Sequence, residues 1–278
     1  MAGNFSGKVG IIGVGNMGGA CARAWLAQGR LPPERLVLVE RDELKAHDLR
    51  STLGWEIDGN ERAIGGCAIV FLAMKPQDLA GAAAGLREHL HSGQTVVSLL
   101  AGVPFSTLRA LLGDEPRFVR VMPNINAAIR AGMSVWCRGP GVDSVHAVMI
   151  GNLLEGIGGA LEVKEEALID AATAVSASGP GYIFYIIEHM VGAAEKLGFS
   201  RAEADELVAQ TIAGSVAMWR ESKLEPEELR AMVTSKGGTT AAAVEVFERG
   251  YLGKILKAGI ARADERCREL AELAKVKS

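Results

Sequence analysis

Over the first 163 residues, short apolar runs alternate with stretches whose apolar positions recur at helical spacing. The predicted strands are Lys8–Ile12, Arg35–Glu40, Cys67–Ala73, Thr95–Leu99, Phe118–Met122, Ser134–Cys137 and Ala160–Val163. The predicted helices between them are Gly18–Gln28, Glu43–Leu53, Leu79–Leu90, Ser106–Leu112 and Asp143–Leu154. Several strands are apolar throughout, as expected where both faces are covered. The alternation predicts a parallel, doubly wound α/β sheet.

The strand pattern stops after Val163, and the rest of the chain shows only helical spacing. The predicted helices are 165–176, 180–197, 201–221, 226–233, 239–249 and 252–274. The segment Tyr182–Ile187 is apolar on every face, so we expect it to be buried all round. A single layer of helices rarely encloses one helix so completely, which predicts a homodimer through this half. The expected domains are therefore 1–163 and an all-α dimerisation domain, 164–278.

Composition places the chain among ordinary globular proteins and narrows its partners. Its 278 residues suffice for two domains, and 49% are hydrophobic while 23% are charged. The net charge of -3 is spread along the chain without a basic stripe, which argues against nucleic acid or an anionic membrane as partner.

The four cysteines are widely separated, and neither they nor the five histidines show metal-ligand spacing. No metal and no disulfide framework is expected. The longest apolar run, Cys67–Met74, is far too short to cross a membrane, and the first residues lack a secretory pattern. These features favour a reducing compartment and a cytoplasmic protein.

The sequence Gly13-Val14-Gly15-Asn16-Met17-Gly18 lies between the first predicted strand and the first predicted helix. In that position Gly13 permits a tight turn, Gly15 lets backbone approach a pyrophosphate, and Gly18 allows close packing of helix on strand. The motif predicts a Rossmann-type dinucleotide site. A glycine-rich turn without a ligand is the alternative.

Two adjacent charged residues end the second predicted strand and point to different cofactors. An acid at Glu40 favours NAD(H), because it accepts hydrogen bonds from the adenosine ribose. Arg41 can instead pair with the 2′-phosphate of NADP(H). Both residues can also be solvated loop charges, and the pattern leaves the choice open.

Two further loops follow predicted strands, where ligands of an open α/β sheet bind. Ala73-Met74-Lys75-Pro76 follows one of them, and Lys75 can donate a hydrogen bond to a cofactor or act as an acid. Met122-Pro123-Asn124 has the equivalent place after another. The alternative at both is an ordinary surface turn.

A second anion site is predicted where Thr234-Ser235-Lys236-Gly237-Gly238-Thr239-Thr240 opens a helix. Hydroxyl groups and free backbone N–H groups converge there at the positive end of the helix dipole. A helix cap needs one such residue, and this run exceeds that need. One site for a dinucleotide and one for a small acid indicate a reductase.

Together these motifs resemble the pyrroline-5-carboxylate reductase family. The resemblance rests on Gly13–Gly18, Ala73–Pro76, Ala101-Gly102-Val103, Arg120–Asn124, Ser176–Tyr182 and Thr234–Thr240, which occur in the family's order along nearly the whole chain. It implies a Rossmann domain followed by a helical domain that interlocks in a dimer, with rings of dimers known. It also implies reduction of Δ1-pyrroline-5-carboxylate to L-proline by NAD(P)H, with NADP(H) slightly favoured.

The resemblance assigns roles to individual residues and places the substrate between one subunit's cofactor domain and the partner's helices. Ser235, Gly238 and Thr239, beside Gly237, would hold the substrate carboxylate, and Thr240 would hydrogen-bond the ring nitrogen. The residues expected to line the cofactor are Ile12, Gly13, Val14, Gly15, Asn16, Met17, Glu40, Arg41, Asn60, Ala73, Met74, Lys75, Pro76, Ala101 and Asn124.

The chain departs from the family pattern at a few positions without losing a group that the chemistry needs. Lys236 replaces a frequent proline, and Asn124-Ile125-Asn126 replaces a frequent Asn-Thr-Pro. The motifs also leave two alternative functions open. One is a reductase of another cyclic imine or a hydroxy acid on the same fold, and the other is a nucleotide-sensing protein without catalysis.

Overall fold

The computed structural model describes the backbone of residues 5–276, with the side chains of residues 5–269 and of Glu272. The strands are β1 (Lys8–Ile12), β2 (Leu36–Val39), β3 (Ile57–Asp58), β4 (Cys67–Leu72), β5 (Thr95–Ser98), β6 (Arg117–Met122), β7 (Gly132–Arg138) and β8 (Gly158–Val163). The helices are α1 (Asn16–Ala27), α2 (Glu43–Leu53), α3 (Leu79–Arg87), α4 (Phe105–Leu112), α5 (Ser144–Glu155), α6 (Ala167–Ala172), α7 (Gly179–Lys196), α8 (Arg201–Ser222), α9 (Pro226–Met232), α10 (Thr239–Arg249) and α11 (Leu252–Val276).

The eight strands form one sheet in the order β3-β2-β1-β4-β5-β6-β7-β8. The first six are parallel neighbours, and the chain reverses direction across the sheet between β1 and β4. In an open α/β sheet this reversal marks the crevice where ligands bind. The Rossmann-type fold class predicted from the sequence is confirmed.

One pairing departs from the parallel sheet that the alternation predicted. β7 runs antiparallel to β6, and β8 then runs parallel to β7. Residues 123–131, which join β6 to β7, contain a 3₁₀ helix over Ile125–Ile129. A parallel crossover needs a dozen or more residues, so this short link permits only the antiparallel arrangement. The two-residue β3, which carries no run long enough to signal a strand, was not predicted.

Alternate residues of the central strands pack into two separate apolar layers. In β4, Ile69 and Phe71 belong to the layer that also contains Trp25, while Val70 and Leu72 belong to the other. Successive side chains of a strand point to opposite faces, so the sheet is covered on both sides. This explains why its strands are apolar throughout.

The structure consists of two compact units, which we call the sheet unit and the helical unit. The sheet unit comprises Met1–Ser178 and Ala263–Ser278, and the helical unit comprises Gly179–Arg262. The sequence placed a boundary after the last strand, at 163/164, because the alternation ends there. That functional division, 1–163 and 164–278, stays a prediction. In the division into compact units, α6 belongs to the sheet unit.

Buried ion pairs hold α6 to the sheet. The Arg120 side chain on β6, 3% exposed, donates to Glu166 at 2.8 Å and to Asp170 at 2.8 Å. Glu166 also accepts from the backbone N–H of Phe105 at 2.7 Å. A buried guanidinium needs such carboxylate partners, since an unpaired buried charge costs several kcal/mol.

A π turn over Thr173–Ala177 interrupts the continuous helix predicted for 165–176. The Ser178 N–H donates to the Thr173 carbonyl at 2.9 Å, five residues back. In a regular helix the Ser176 carbonyl would accept from residue 180, but Pro180 has no N–H. The Asn124 side-chain amide donates to that carbonyl instead, at 3.1 Å.

The helical unit buries little apolar surface of its own. Its buried cluster consists of Val191 on α7 with Ala204 and Val208 on α8. Phe184 and Tyr185, within the apolar segment of α7, are 57% and 63% exposed in the single chain. None of the helices within the described residues is long and apolar enough to cross a membrane.

Candidate functional site

The carboxyl ends of the parallel strands bring most predicted cofactor residues to one edge of the sheet. Ile12 ends β1, Glu40 follows β2, Ala73 follows β4, and Met122 ends β6 just before Asn124. Because β1 to β6 share one direction, the loops after them lie along the same edge. The structure therefore collects on one surface what the sequence spreads over more than a hundred residues.

The turn between β1 and α1 depends on two glycines for its shape. Gly13 has a φ of +89°, and a Cβ there would lie 2.9 Å from the Met74 backbone nitrogen. A Cβ on Gly18 would lie 2.2 Å from the Gly13 carbonyl oxygen. A side chain at either position would force the neighbouring backbone to shift, so both glycines contribute to the fold itself.

Gly15 differs, because the protein leaves room for a side chain there. The nearest heavy atom to a Cβ at this position would be the Lys45 ammonium nitrogen, 3.8 Å away. Gly15 is the N-cap of α1, whose first-turn N–H groups have no described side-chain cap and no acidic neighbour in that turn. A bare backbone surface at a helix N-terminus fits a pyrophosphate.

The Glu40 carboxylate lies underneath this turn rather than in a solvated loop. One oxygen accepts from the Val14 backbone N–H at 3.1 Å, and the same oxygen bonds to the Lys45 ammonium. The other oxygen accepts from the Asp42 N–H at 3.3 Å. Glu40 is 9% exposed, whereas Arg41 is exposed. The acid therefore helps to fix the glycine turn.

A cavity of about 670 Å³ opens beside the turn, between the ends of β1, β2 and β4. Its lining includes the predicted Ile12, Gly13, Glu40, Arg41 and Met74. It also includes residues that the sequence reasoning missed: Val39, Asp42, Gln77, Asp78, Gly81 and Ala82. No local sequence signal marks Gly81 and Ala82, because these residues line the cavity only once α3 has packed on the sheet.

The remaining predicted cofactor residues occupy the neighbouring loops. Lys75 is exposed and precedes a 3₁₀ helix that begins at Pro76. The Asn60 side chain caps another 3₁₀ helix by accepting from the Arg62 N–H at 2.9 Å. Ala101 is exposed in the turn after β5. Cofactor contacts at these positions stay predictions.

Asn124 is buried and its side chain joins two segments. Its amide donates to the Ser176 carbonyl at 3.1 Å, and its carbonyl accepts from the Met133 N–H at 3.2 Å. This residue fixes the π turn against the start of β7. Its predicted cofactor contact is likewise untested.

The second predicted anion site lies in the helical unit, at the start of α10. Gly237 has a φ of +73°, and Gly238 is the N-cap with no side-chain cap among the described residues. A Cβ on Gly238 would lie 2.5 Å from the Ser235 hydroxyl oxygen, so the glycine lets that hydroxyl fold against the helix start.

Thr239 and Thr240 are the first two residues of α10, with Thr239 exposed and Thr240 half-buried. No acidic residue occurs in this first turn of the described helix. Hydroxyls and unpaired N–H groups at the positive end of a helix can hold a carboxylate. Within the loop, the Gly238 N–H donates to the Ser235 carbonyl at 3.0 Å, and the predicted substrate contacts stay predictions.

The cysteines are structural rather than nucleophilic. All four are free and buried, and burial raises the pKa of Cys21 to about 12 and that of Cys67 to about 11. A thiol with so high a pKa stays protonated and unreactive. Within residues 5–276, no group of three or more His, Cys, Asp or Glu side chains is arranged to hold a metal ion.

Two family models match the chain, one in each half. Residues 8–102 match a family described as NADP oxidoreductase coenzyme F420-dependent. Residues 166–270 match the pyrroline-5-carboxylate reductase dimerisation domain. A pyrroline-5-carboxylate reductase of Pseudomonas aeruginosa is 35% identical, over 95% of this chain and 97% of its own. The chain belongs to the pyrroline-5-carboxylate reductase family.

Other pyrroline-5-carboxylate reductases are similar over the same length. That of Arabidopsis thaliana is 33% identical, over 95% of this chain and 96% of its own. The solved enzyme of Coxiella burnetii superposes with a TM-score of 0.89 at 30% identity, over 96% of this chain and 99% of its own.

A pyrroline carboxylate reductase of Plasmodium falciparum, solved with NADP bound, has a TM-score of 0.86 at 25% identity. It covers 96% of this chain and 98% of its own.

Proposed function

We propose that this reductase converts Δ1-pyrroline-5-carboxylate to L-proline with hydride from NAD(P)H. The observation that carries the proposal is that one chain of this family contains both a pyrophosphate-shaped glycine turn and a hydroxyl-lined helix start. The first takes a dinucleotide and the second takes a small acid.

The reaction needs little acid–base chemistry from the protein. The cofactor supplies a hydride, which adds to C5 of the cyclic imine while the ring nitrogen keeps or gains a proton. A protonated imine is already electrophilic, so holding it in place is the main task of the chain. Such positioning supplies on the order of 7–11 kcal/mol of a barrier. This explains a site built from glycine, serine and threonine.

Ser235, Gly238 and Thr239 would hold the substrate carboxylate through a hydroxyl and backbone N–H groups. Thr240, one position further along α10, would hydrogen-bond the ring nitrogen through its hydroxyl. Its half-buried position supports this role, because a partly screened hydroxyl keeps its orientation. Solvent is the proposed proton source.

Either nicotinamide cofactor is compatible with the described loops. Glu40 lies where an acid can contact the adenosine ribose, and exposed Arg41 lies next to it on the same cavity. The similar Plasmodium falciparum reductase binds NADP in its solved structure. We propose that NADP(H) is slightly preferred here.

The family model and the exposed apolar residues of α7 support a homo-oligomer. We propose a homodimer through the helical unit, with a ring of dimers as a further step. A dimer would cover Phe184 and Tyr185, which a lone chain leaves in water. We further propose a cytoplasmic location, because the four free cysteines fit a reducing compartment. We propose no nucleic acid or membrane partner.

Comparing two imines tests the proposal. Steady-state rates would be measured with Δ1-pyrroline-5-carboxylate and with 1-pyrroline, which has the same ring without the carboxylate. We expect kcat/KM for 1-pyrroline to be lower by at least about a hundredfold, because a carboxylate held by several charge-assisted hydrogen bonds contributes more than about 3 kcal/mol. Equal values would remove the carboxylate site at α10 from the mechanism.

A further inference from the structure

Lys45, on the first turn of α2, connects the glycine turn to the acid after β2. Its ammonium bonds to the Glu40 carboxylate, whose side chain is about 10% exposed. The same ammonium nitrogen is 3.8 Å from where a Cβ on Gly15 would be. No sequence motif pointed to this lysine, because it lies five residues after its partner.

The hydrogen bonds of Glu40 limit what this acid can offer a ribose. One oxygen already accepts from two donors, the Val14 N–H and the Lys45 ammonium. The second oxygen accepts from the Asp42 N–H. A carboxylate oxygen has two lone pairs, so Glu40 has room for one ribose hydroxyl and not for the usual pair.

The charges around the cavity would repel a phosphate if Lys45 were neutral. Three acids line the cavity, Glu40, Asp42 and Asp78, against one arginine, Arg41. Lys45 bonds to the most buried of these acids and cancels its charge at short range. A phosphate monoester carries roughly −1.5 to −2 charges near neutral pH, so an uncancelled carboxylate on the same wall opposes it.

We propose that Lys45 is a positioning residue that lets the adenosine pocket accept a 2′-phosphate, by neutralising Glu40 and keeping its carboxylate on the glycine turn. The inference rests on the proposed NAD(P)H-dependent function and deepens it. Lys45 acts by cancelling the charge of Glu40, so removing both charges together should leave the net charge at the pocket unchanged.

The test uses binding of two adenosine fragments, which is independent of imine reduction. Adenosine 2′,5′-bisphosphate and adenosine 5′-monophosphate would be titrated into the whole 278-residue chain by calorimetry. The variants are Lys45→Met, Glu40→Gln and the double variant, with Lys45→Arg as the conservative replacement. Lys8→Met is the matched control, since Lys8 is exposed at the opposite end of β1 from the glycine turn.

We expect Lys45→Met to weaken binding of the bisphosphate roughly tenfold more than binding of the monophosphate. This is the size of effect expected when one unit charge is lost near a partly exposed phosphate. Lys45→Arg and Lys8→Met should keep the parental ratio within about twofold, less than the 1.4 kcal/mol of a tenfold change. In the double variant the ratio should return close to the parental value, because the neutral glutamine side chain still accepts from Val14.

Two results would overturn the proposal. Equal weakening of both fragments by Lys45→Met, with a lower unfolding temperature, would make the lysine a structural residue of the turn. If the double variant bound the bisphosphate as weakly as Lys45→Met does, Lys45 would have to contact the phosphate directly. Failure to reduce the imine would count against the proposed function and leave these binding ratios interpretable.

Discussion

The sheet unit and the helical unit each contain a helix N-terminus that we propose holds an anion, and the two are built in opposite ways. In the sheet unit the glycine turn follows a strand of a sheet that is covered by two apolar layers. The turn has its shape because Gly13 and Gly18 have no side chains. In the helical unit the α10 loop presents hydroxyls on helices that bury one small cluster, Val191, Ala204 and Val208.

The two halves therefore differ in how far their sites depend on a second copy of the chain. The sheet unit encloses its core within one chain, so the dinucleotide site needs no other molecule for its shape. The helical unit leaves large apolar side chains exposed, which indicates that its final geometry depends on a second copy. Substitutions should therefore act on affinity and stability in the first half, and on assembly and turnover in the second.

The largest effect should come from a charge on the exposed face of α7. Phe184→Glu should convert an oligomer to monomers and lower activity by more than about a hundredfold, because burying an unpaired carboxylate costs several kcal/mol. Size-exclusion chromatography with light scattering, followed by a rate assay, checks this. Val148→Glu is the matched control, since Val148 is 55% exposed in the sheet unit and Phe184 is 57% exposed. An active oligomeric Phe184→Glu enzyme would contradict the comparison.

Next in size is the effect of a methyl group at Gly18. The new Cβ would lie 2.2 Å from the Gly13 carbonyl oxygen and 3.1 Å from Ala73. Such overpacking costs about 1–3 kcal/mol or more, so Gly18→Ala should lower the urea midpoint as well as cofactor affinity. A variant of parental stability would show that α1 can shift away from β1 at little cost.

Gly15→Ala changes a glycine of the same turn at a position where the protein has space for the methyl group. We expect unchanged stability and at least about a tenfold loss of NADPH affinity, about 1.4 kcal/mol, since the methyl occupies the surface that the pyrophosphate approaches. Fluorescence titration of reduced cofactor and thermal unfolding measure the two quantities. Parental affinity for NADPH would move the pyrophosphate site away from Gly15.

Thr240→Ala tests the substrate half without a change in assembly. Its kcat/KM for the imine should fall by more than about tenfold, or about 1.4 kcal/mol, while oligomeric state and cofactor affinity stay parental. Thr240→Ser should recover most of the loss. The control is Thr211→Ala, because the Thr211 hydroxyl donates to the Leu207 carbonyl of its own helix at 2.7 Å. An unchanged rate for Thr240→Ala would remove this hydroxyl from the mechanism.

The smallest effect concerns pH and is confined to the sheet unit. Burial lowers the pKa of His146 below its ordinary value, so the unfolded chain takes up a proton first as the pH falls below 6.5. Its contribution to stability is therefore present above that pH and is lost as the pH falls. The difference between the urea midpoints at neutral and at mildly acidic pH should be slightly smaller in His146→Gln than in the parental protein. An equal pH dependence in both proteins would contradict the assignment.

The regular elements could be predicted from the chain because their signals are local. β1, α2 and α10 have the bounds that periodicity predicted, and the glycine turn follows β1 as its motif required. The predicted parallel direction of β7 was wrong, because its direction depends on the short link of residues 123–131. The π turn at Thr173 was missed because it depends on Pro180 and on Asn124, which binds the Ser176 carbonyl from 52 residues earlier in the chain.

In the candidate site, too, features with a local signal were predictable and features that depend on the tertiary fold were not. The glycines and the α10 hydroxyls were predictable, since each follows from its own turn. The burial of Glu40 under Val14, and its neutralisation by Lys45, were not, because they join three segments through the tertiary fold. Gln77 and Gly81 were missed for the same reason. They follow the recognised loop but reach the cavity only once α3 packs on the sheet.

The most direct test of the account is the formation of proline itself. The purified protein would be incubated with Δ1-pyrroline-5-carboxylate and NADPH or NADH, and the loss of reduced cofactor compared with the amount of L-proline. The account predicts equal molar amounts of both with at least one cofactor. Demonstrated binding of cofactor without any proline would contradict it.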